Sequence, residues 1–294
     1  MLALFAVAVL LAQTPAPQRA VQVGSVTAVA DDKHLDLAIA LAHGADRPQA
    51  WPGLGRRAPP PFRLVVVSDA AGMRRAAFGR APTWGAGLTI PQARLVILRA
   101  DSDPTRTLRH ELAHLVLHDA VRSRVPLWFD EGYAVWASGE WDLLDRLALN
   151  IAVVSGATPS LDQLAAALRG NVLGVDAAYA LSATAVLDLA RRNPTGTLDP
   201  LFERLAAGED FGSAVRATTG LDLETFGEEW QRGVRRRYGI FTWLTAGGVW
   251  IVVGGIVIIG TRWRRHRDAV RRAALDEGWV ISEEDTPSSP MNDS

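Results

Sequence analysis

Residues 103–120 read DPTRTLRHELAHLVLHDA, and this stretch decides how the rest of the chain is interpreted. An aspartate followed by a proline is typical of a helix start, because the acid suits the N-cap and proline suits the first helical position. His110 and His114 lie four residues apart, so they share one face of the predicted helix and can bind one metal ion. Glu111 lies beside them and can reach a metal-bound water without being a ligand.

A catalytic zinc site needs a third protein ligand, with water in the fourth position. Positions 117 and 120 hold leucine and alanine, whereas the metzincin pattern requires glycine and histidine there, so that kind of site is excluded. The segment 126–134, PLWFDEGYA, offers a glutamate instead. The sixteen residues between His114 and Glu131 allow a helix end, a loop and a return. We therefore predict one zinc ion held by His110, His114 and Glu131.

The HELAH and PLWFDEGYAVW segments together resemble the gluzincins, and most closely the bacterial peptidase MA-like zinc metallohydrolases. The segment 178–182 resembles the downstream tyrosine segment of that family, and 201–230 resembles its helical tail, so the likeness covers about residues 60–235. The resemblance implies a zinc-dependent peptidase with Glu111 as general base. Residues 84–87, WGAG, lack the acid that aminopeptidase gluzincins carry there, which favours an endopeptidase.

An oxyanion stabiliser is also expected, and the chain contains three tyrosines. Tyr238 abuts a long apolar segment, and Tyr133 points about 200° away from Glu131 around a helix. Tyr179 remains, at a place that resembles the family's downstream tyrosine. An ordinary packed helix residue is the alternative interpretation of Tyr179.

Three further features near these residues have two interpretations each. Asp130 either hydrogen-bonds a ligand histidine and so orients it, or is the N-cap of its helix. His118 continues the face of His114 one turn further on, and we interpret it as a residue of the cleft rim or of the packing. Residues 84–88 are either an edge strand that pairs with an extended substrate or a loop.

Two segments are far more apolar than the rest of the chain. Residues 2–12 are an uninterrupted apolar run, and we predict a signal peptide over 1–20, with a buried N-terminal element as the alternative. Residues 240–260 carry no charge and are long enough for a transmembrane helix. Residues 262–294 then form a tail that is basic first and acidic afterwards, which we place in the cytoplasm.

Between these segments, we expect residues 21–237 to form one catalytic domain of the α+β class. Strands are expected at 21–30, 62–67 and 94–99, in a small and mainly antiparallel sheet. From residue 104 onward only helices are expected, with the HExxH helix first and a helical lobe after it.

Composition narrows the function further. The chain has 294 residues, 48% of them hydrophobic, which excludes a disordered protein. A balance of 31 basic against 32 acidic residues argues against a nucleic-acid partner. Absence of cysteine excludes a disulfide scaffold, a zinc finger and a thiol nucleophile.

Taken together, these patterns predict a single-pass, exported zinc metallopeptidase that cleaves peptides or proteins outside the cytoplasmic membrane. One alternative is a non-catalytic cell-envelope interaction protein that retains a structural zinc. Another is a hydrolase of non-peptide amides in the envelope, which would use the same residues. The partner of the C-terminal tail is left open.

Overall fold

The computed structural model of the chain describes residues 18–79, 85–139, 158–169 and 175–243, together with positions 250, 253–259, 261 and 264. The chain divides into two compact units, residues 1–239 and 240–294. Most of the predicted signal peptide lies outside the described residues, as does position 84, the first of the predicted edge strand at 84–88. The observed strand in that region runs from Gly87 to Ile90.

Five strands of the first unit form one sheet, and two short strands form a separate hairpin. In chain order the strands are β1 (Gln18–Val23), β2 (Val26–Asp31), β3 (Gln49–Trp51), β4 (Gly55–Arg57), β5 (Phe62–Val67), β6 (Gly87–Ile90) and β7 (Leu95–Arg99). The hairpin of β3 and β4 lies within residues 46–61, a segment with five prolines whose composition is typical of a loop.

The sheet is mixed, with strand order β1-β2-β5-β7-β6, so the prediction of a mainly antiparallel sheet is wrong. The outer pairs are antiparallel, whereas β2–β5 and β5–β7 are parallel. The parallel pairs follow from the helices α1 (Leu35–Ala45) and α2 (Ala70–Ala76), which carry the chain back between strands. Among the residues that the structure describes, β6 lies at one edge of the sheet and pairs only with β7.

The predicted strand over 21–30 is in fact the hairpin of β1 and β2. The chain reverses at Gly24, whose φ of +55° lies in the left-handed region that glycine adopts without strain. The glycine-serine pair at the turn is the sequence signal for this hairpin. The other two predicted strands, at 62–67 and 94–99, are confirmed as β5 and β7.

Only helices follow β7 in the described part of the first unit, as predicted. They are α3 (Pro104–Ala120), α4 (Leu127–Ser138), α5 (Leu161–Arg169), α6 (Val175–Arg192), α7 (Asp199–Ala206), α8 (Phe211–Thr219) and α9 (Leu223–Trp243). Large aromatic side chains from several of these helices pack together in the core, among them Trp128, Phe129, Phe226 and Trp230. The core therefore holds α4 firmly against the rest of the helical lobe.

Helices α4 and α6 approach each other closely at Gly132. A Cβ atom there would collide with the backbone carbonyl of Ser182 and would lie 2.9 Å from Val186 Cγ2. Only glycine allows this approach, which sets the position of the preceding residue, Glu131.

Within the part of the chain that the structure describes, no helix is long and apolar enough to cross a membrane. Positions 244–249, 251, 252 and 260 of the predicted transmembrane window lie outside that part. The transmembrane helix is thus not supported by the structure and stays a prediction. The described positions 253–259 are helical, and the four consecutive residues 256–259 are each 57–64% exposed.

Candidate active site

Helix α3 is amphipathic, with one apolar face and one polar face. Leu108, Leu112, Leu115 and Val116 are buried, which orients the helix against the sheet. The carboxylate of Asp103 accepts a hydrogen bond of 3.1 Å from the backbone N–H of Arg106 and so caps the first turn, as predicted. With the helix held in this way, His110 and His114 lie one turn apart and their ring centroids are 5.1 Å apart.

Helix α4 brings Glu131 to these two imidazoles. Its Oε2 atom lies 3.5 Å from Nε2 of His110 and 3.5 Å from Nε2 of His114. One ligand atom from each of the three residues lies within 4.8 Å of the other two. Two imidazole nitrogens and one carboxylate are a donor set that suits zinc, with room for a fourth ligand. The structure thus brings together the three residues predicted from sequence as zinc ligands.

Charge in this cluster favours a cation. Burial by itself would raise the pKa of Glu131, but the charges and hydrogen bonds of His114 and His110 outweigh it and lower the pKa to about 2. Burial would likewise lower the pKa of His114, but the carboxylates of Asp130 and Glu131 outweigh that effect and raise it well above its ordinary value. A positive charge is therefore stabilised here, whether a proton or a metal ion carries it.

Asp130 orients His114. One carboxylate oxygen accepts a hydrogen bond from Nδ1 of His114 at 2.6 Å, which leaves Nε2 directed to the metal position. The other oxygen lies 2.7 Å from Nε2 of His118. Pro126 occupies the N-cap of α4, so the alternative interpretation of Asp130 as an N-cap is wrong. Sequence reasoning missed the bridge to His118, although the four-residue spacing of three histidines is a visible signal.

Glu111 lies beside His110 in the same cleft and also contacts strand β6 at the sheet edge. It is only 6% exposed, and its Oε2 atom accepts a hydrogen bond of 2.7 Å from the hydroxyl of Thr89 in β6. Burial raises the pKa of Glu111, and the nearby histidines and Thr89 oppose this only in part. A carboxylate with a raised pKa is a better proton acceptor, which suits a general base.

Strand β6 approaches Glu111 so closely at Gly87 that a larger residue there would have to displace the neighbouring side chains. A Cβ atom at Gly87 would lie 2.5 Å from Oε1 of Glu111 and 2.6 Å from Cγ2 of Thr107. Sequence reasoning did not single out Thr89 or the contact of Gly87 with Glu111. A glycine inside a strand was the one available signal, since it often marks close backbone approach.

A cleft of about 310 Å³ opens beside Glu111 and His110. Its walls include Gly87 of β6, the preceding Ala86, and Tyr179 of α6. The ring of Tyr179 meets that of His110 edge-on, with centroids 6.1 Å apart, so this tyrosine lies at the cleft. Tyr133 is fully buried, and its hydroxyl donates a hydrogen bond of 3.1 Å to the backbone carbonyl of Pro52. Its hydroxyl is therefore not directed to the candidate metal ligands.

Comparisons with known proteins place this geometry in a family. Among curated protein sequences, no significant match to the chain is found. The sequence profile of the Peptidase MA superfamily matches residues 54–236, which is more than half of the chain. The matched region contains α3, α4 and α6, and so all the residues that line the ligand cluster. The protein belongs to the Peptidase MA superfamily.

Proposed function

We propose that the protein is a membrane-anchored, extracytoplasmic zinc metallopeptidase that hydrolyses peptide bonds. The observation that carries this proposal is the convergence of three ligand atoms within 4.8 Å, beside a buried glutamate that is not itself a ligand. Membership of the Peptidase MA superfamily supports the same reaction class.

When bound by His110, His114 and Glu131, zinc supplies a Lewis acid that lowers the pKa of water and polarises the scissile carbonyl. Glu111 takes the proton of the attacking water and passes it to the leaving amine. Burial raises the pKa of Glu111, which makes its carboxylate a better proton acceptor. Asp130 holds His114 in the tautomer that a metal requires. Tyr179 donates a hydrogen bond to the developing oxyanion from the cleft wall.

The unpaired side of β6 supplies a binding edge for substrate. An extended peptide that adds to this edge would run past Glu111, because Gly87 and Thr89 both contact that residue. Backbone pairing of this kind does not require a free amino terminus on the substrate, and we therefore propose an endopeptidase rather than an aminopeptidase.

Anchoring in a membrane is the second part of the proposal. Four consecutive residues, 256–259, are isoleucine or valine and are 57–64% exposed. At about 100° of rotation per residue they cover the whole circumference of a helix, which suits lipid on every side. With a signal peptide at the N-terminus, this anchor would leave the catalytic unit outside the membrane and the tail in the cytoplasm.

The decisive test is Glu111→Gln in the full-length protein, purified in detergent and loaded with zinc. We expect peptide hydrolysis to fall about 10²- to 10⁴-fold, because general-base catalysis contributes that much. Metal content, measured by mass spectrometry of the bound element, should stay at one zinc per chain. A matched change at an exposed acid, Glu224→Gln, controls for loss of charge alone.

The same assay separates the rival functions. A non-catalytic protein with a structural zinc would retain the metal but show no hydrolysis in the wild type. A hydrolase of non-peptide amides would leave a peptide library intact and act on envelope extracts in a Glu111-dependent way. Wild-type activity on peptides that survives Glu111→Gln would contradict the mechanism.

A further inference from the structure

A second and larger cleft, of about 590 Å³, opens at the far end of α3. Arg94, Arg122 and Arg124 line it, together with a single carboxylate, Asp119. Arg94 pairs with that carboxylate at 3.7 Å. Arg122 and Arg124 are exposed and form no ion pair with any residue that the structure describes. The cleft thus has an uncompensated positive charge, which favours an anionic ligand.

This arginine-lined cleft lies further along the same two elements, α3 and β6, that border the cleft at Glu111. Gly87, at one end of β6, contacts Glu111, whereas Pro91 and Arg94, just past its other end, border the cleft. His118 forms part of the cleft wall and lies eight residues after His110 on α3. At a rise of 1.5 Å per residue, that is roughly 12 Å along the helix. An extended peptide covers such a distance in about three to four residues.

The direction of the bound substrate follows from how it pairs with β6. A substrate that pairs antiparallel with β6 begins at the Ile90 end and finishes at the Gly87 end. The arginine-lined cleft would then meet residues on the amino-terminal side of the scissile bond. We propose that this cleft is a specificity subsite for an aspartate or glutamate side chain, three to four residues before the bond that is cut. This inference rests on the proposed peptidase function and names its substrate class.

Cleavage specificity tests the proposal directly. Full-length, zinc-loaded protein is incubated with a proteome-derived peptide library, and the cut sites are read by mass spectrometry. We expect Asp and Glu to be enriched three to four residues before the cut. In the Arg122→Glu/Arg124→Glu double variant that enrichment should fall about three- to tenfold, since two exposed ion pairs are lost. Arg47→Glu, an exposed charge reversal outside the cleft, should keep the wild-type preference.

A binding assay with the catalytically impaired Glu111→Gln protein tests the subsite separately from cleavage. The Glu111→Gln protein is titrated with two fluorescent decapeptides of matched composition, one rich in glutamate and one rich in glutamine, and anisotropy is recorded. Tighter binding of the acidic peptide, abolished when Arg122→Glu/Arg124→Glu is added, supports the subsite. Equal binding of the two peptides would overturn it. Selective binding without any cleavage by the wild type would instead overturn the proposed peptidase function and leave the anionic subsite standing.

Discussion

The two sides of the catalytic cleft are built by different means. On one side, α3 and α4 contribute ligand side chains that are fixed by other side chains, as when Asp130 holds Nδ1 of His114 at 2.6 Å. On the other side lies β6, whose backbone approaches Glu111 closely at Gly87. Its one side-chain contribution is the hydroxyl of Thr89, which donates to Glu111 at 2.7 Å.

This difference separates two kinds of function within one site. On the proposed function, the helix pair determines whether a metal ion can be held, because all three candidate ligands lie on it. The strand determines how the base is placed, because Gly87 and Thr89 contact Glu111. Substitutions on the helix pair should therefore change metal affinity, and substitutions in β6 should change rate at constant metal content.

After that of Glu111→Gln, the largest effect is expected at a third contributor to the cleft, α6. Tyr179→Phe should lower kcat about 10²-fold with zinc content unchanged, because the loss of one oxyanion donor costs that much. Steady-state kinetics together with metal analysis measure it. Tyr133→Phe is the matched control: it removes a buried hydroxyl that donates to Pro52, so it should cost about 1 kcal/mol of stability and leave kcat alone. Equal kcat in Tyr179→Phe and wild type would contradict the role as oxyanion donor and favour the alternative, that Tyr179 is a packed helix residue.

Asp130→Asn should weaken zinc binding about 10- to 100-fold, because an amide is a poorer acceptor for Nδ1 of His114. Competition against a chelator of known affinity measures this. The exposed Asp162→Asn serves as control and should bind zinc as the wild type does. Unchanged affinity in Asp130→Asn would show that the helix pair holds the metal without this support.

Gly132→Ala should destabilise the fold by about 2 kcal/mol, because the added methyl group collides with the backbone at Ser182. Zinc affinity should fall with it, since Glu131 is the neighbouring residue. Gly233→Ala, at a helical position with no atom within 4 Å, should instead stabilise by about 0.5–1 kcal/mol. Thermal unfolding of both variants measures the difference, and a shift of the same sign in both would contradict this packing argument.

The smallest effect is expected on the strand side. Thr89→Val should lower kcat/KM a few-fold, about 1 kcal/mol, and leave zinc affinity unchanged. The hydrogen bond from Thr89 lowers the pKa of Glu111, so its removal should raise that pKa and move the acidic limb of the pH–rate profile to higher pH. Thr89→Ser retains the donor and should behave as wild type. A loss of zinc in Thr89→Val would contradict the expectation that substitutions in β6 change the rate at constant metal content.

Much of the helix side was predictable because its signals are local. An acid and a proline mark the start of α3, and the four-residue spacing of His110 and His114 places both on one face. Pro126 is a similar local signal, because it occupies the N-cap of α4, the helix that carries Glu131. Each of these inferences needs only the geometry of a single helix or turn.

The strand side was harder because its contacts join distant positions. Thr89 and Glu111 are 22 residues apart, and nothing near either residue indicates the other. The parallel pairing of β2, β5 and β7 depends on how α1 and α2 cross over the sheet, which strand patterns alone do not reveal.

By itself, then, the sequence determined the chemistry: the residue types that can bind zinc, the base beside them, and the helices that carry them. Only the tertiary structure decided the placement, which includes the 3.5 Å approach of Glu131 to both histidines, the bridge from Asp130 to His118, and the burial of Glu111 under β6. The physical reason is that residue spacing sets geometry within one helix, whereas packing between elements sets geometry across the fold.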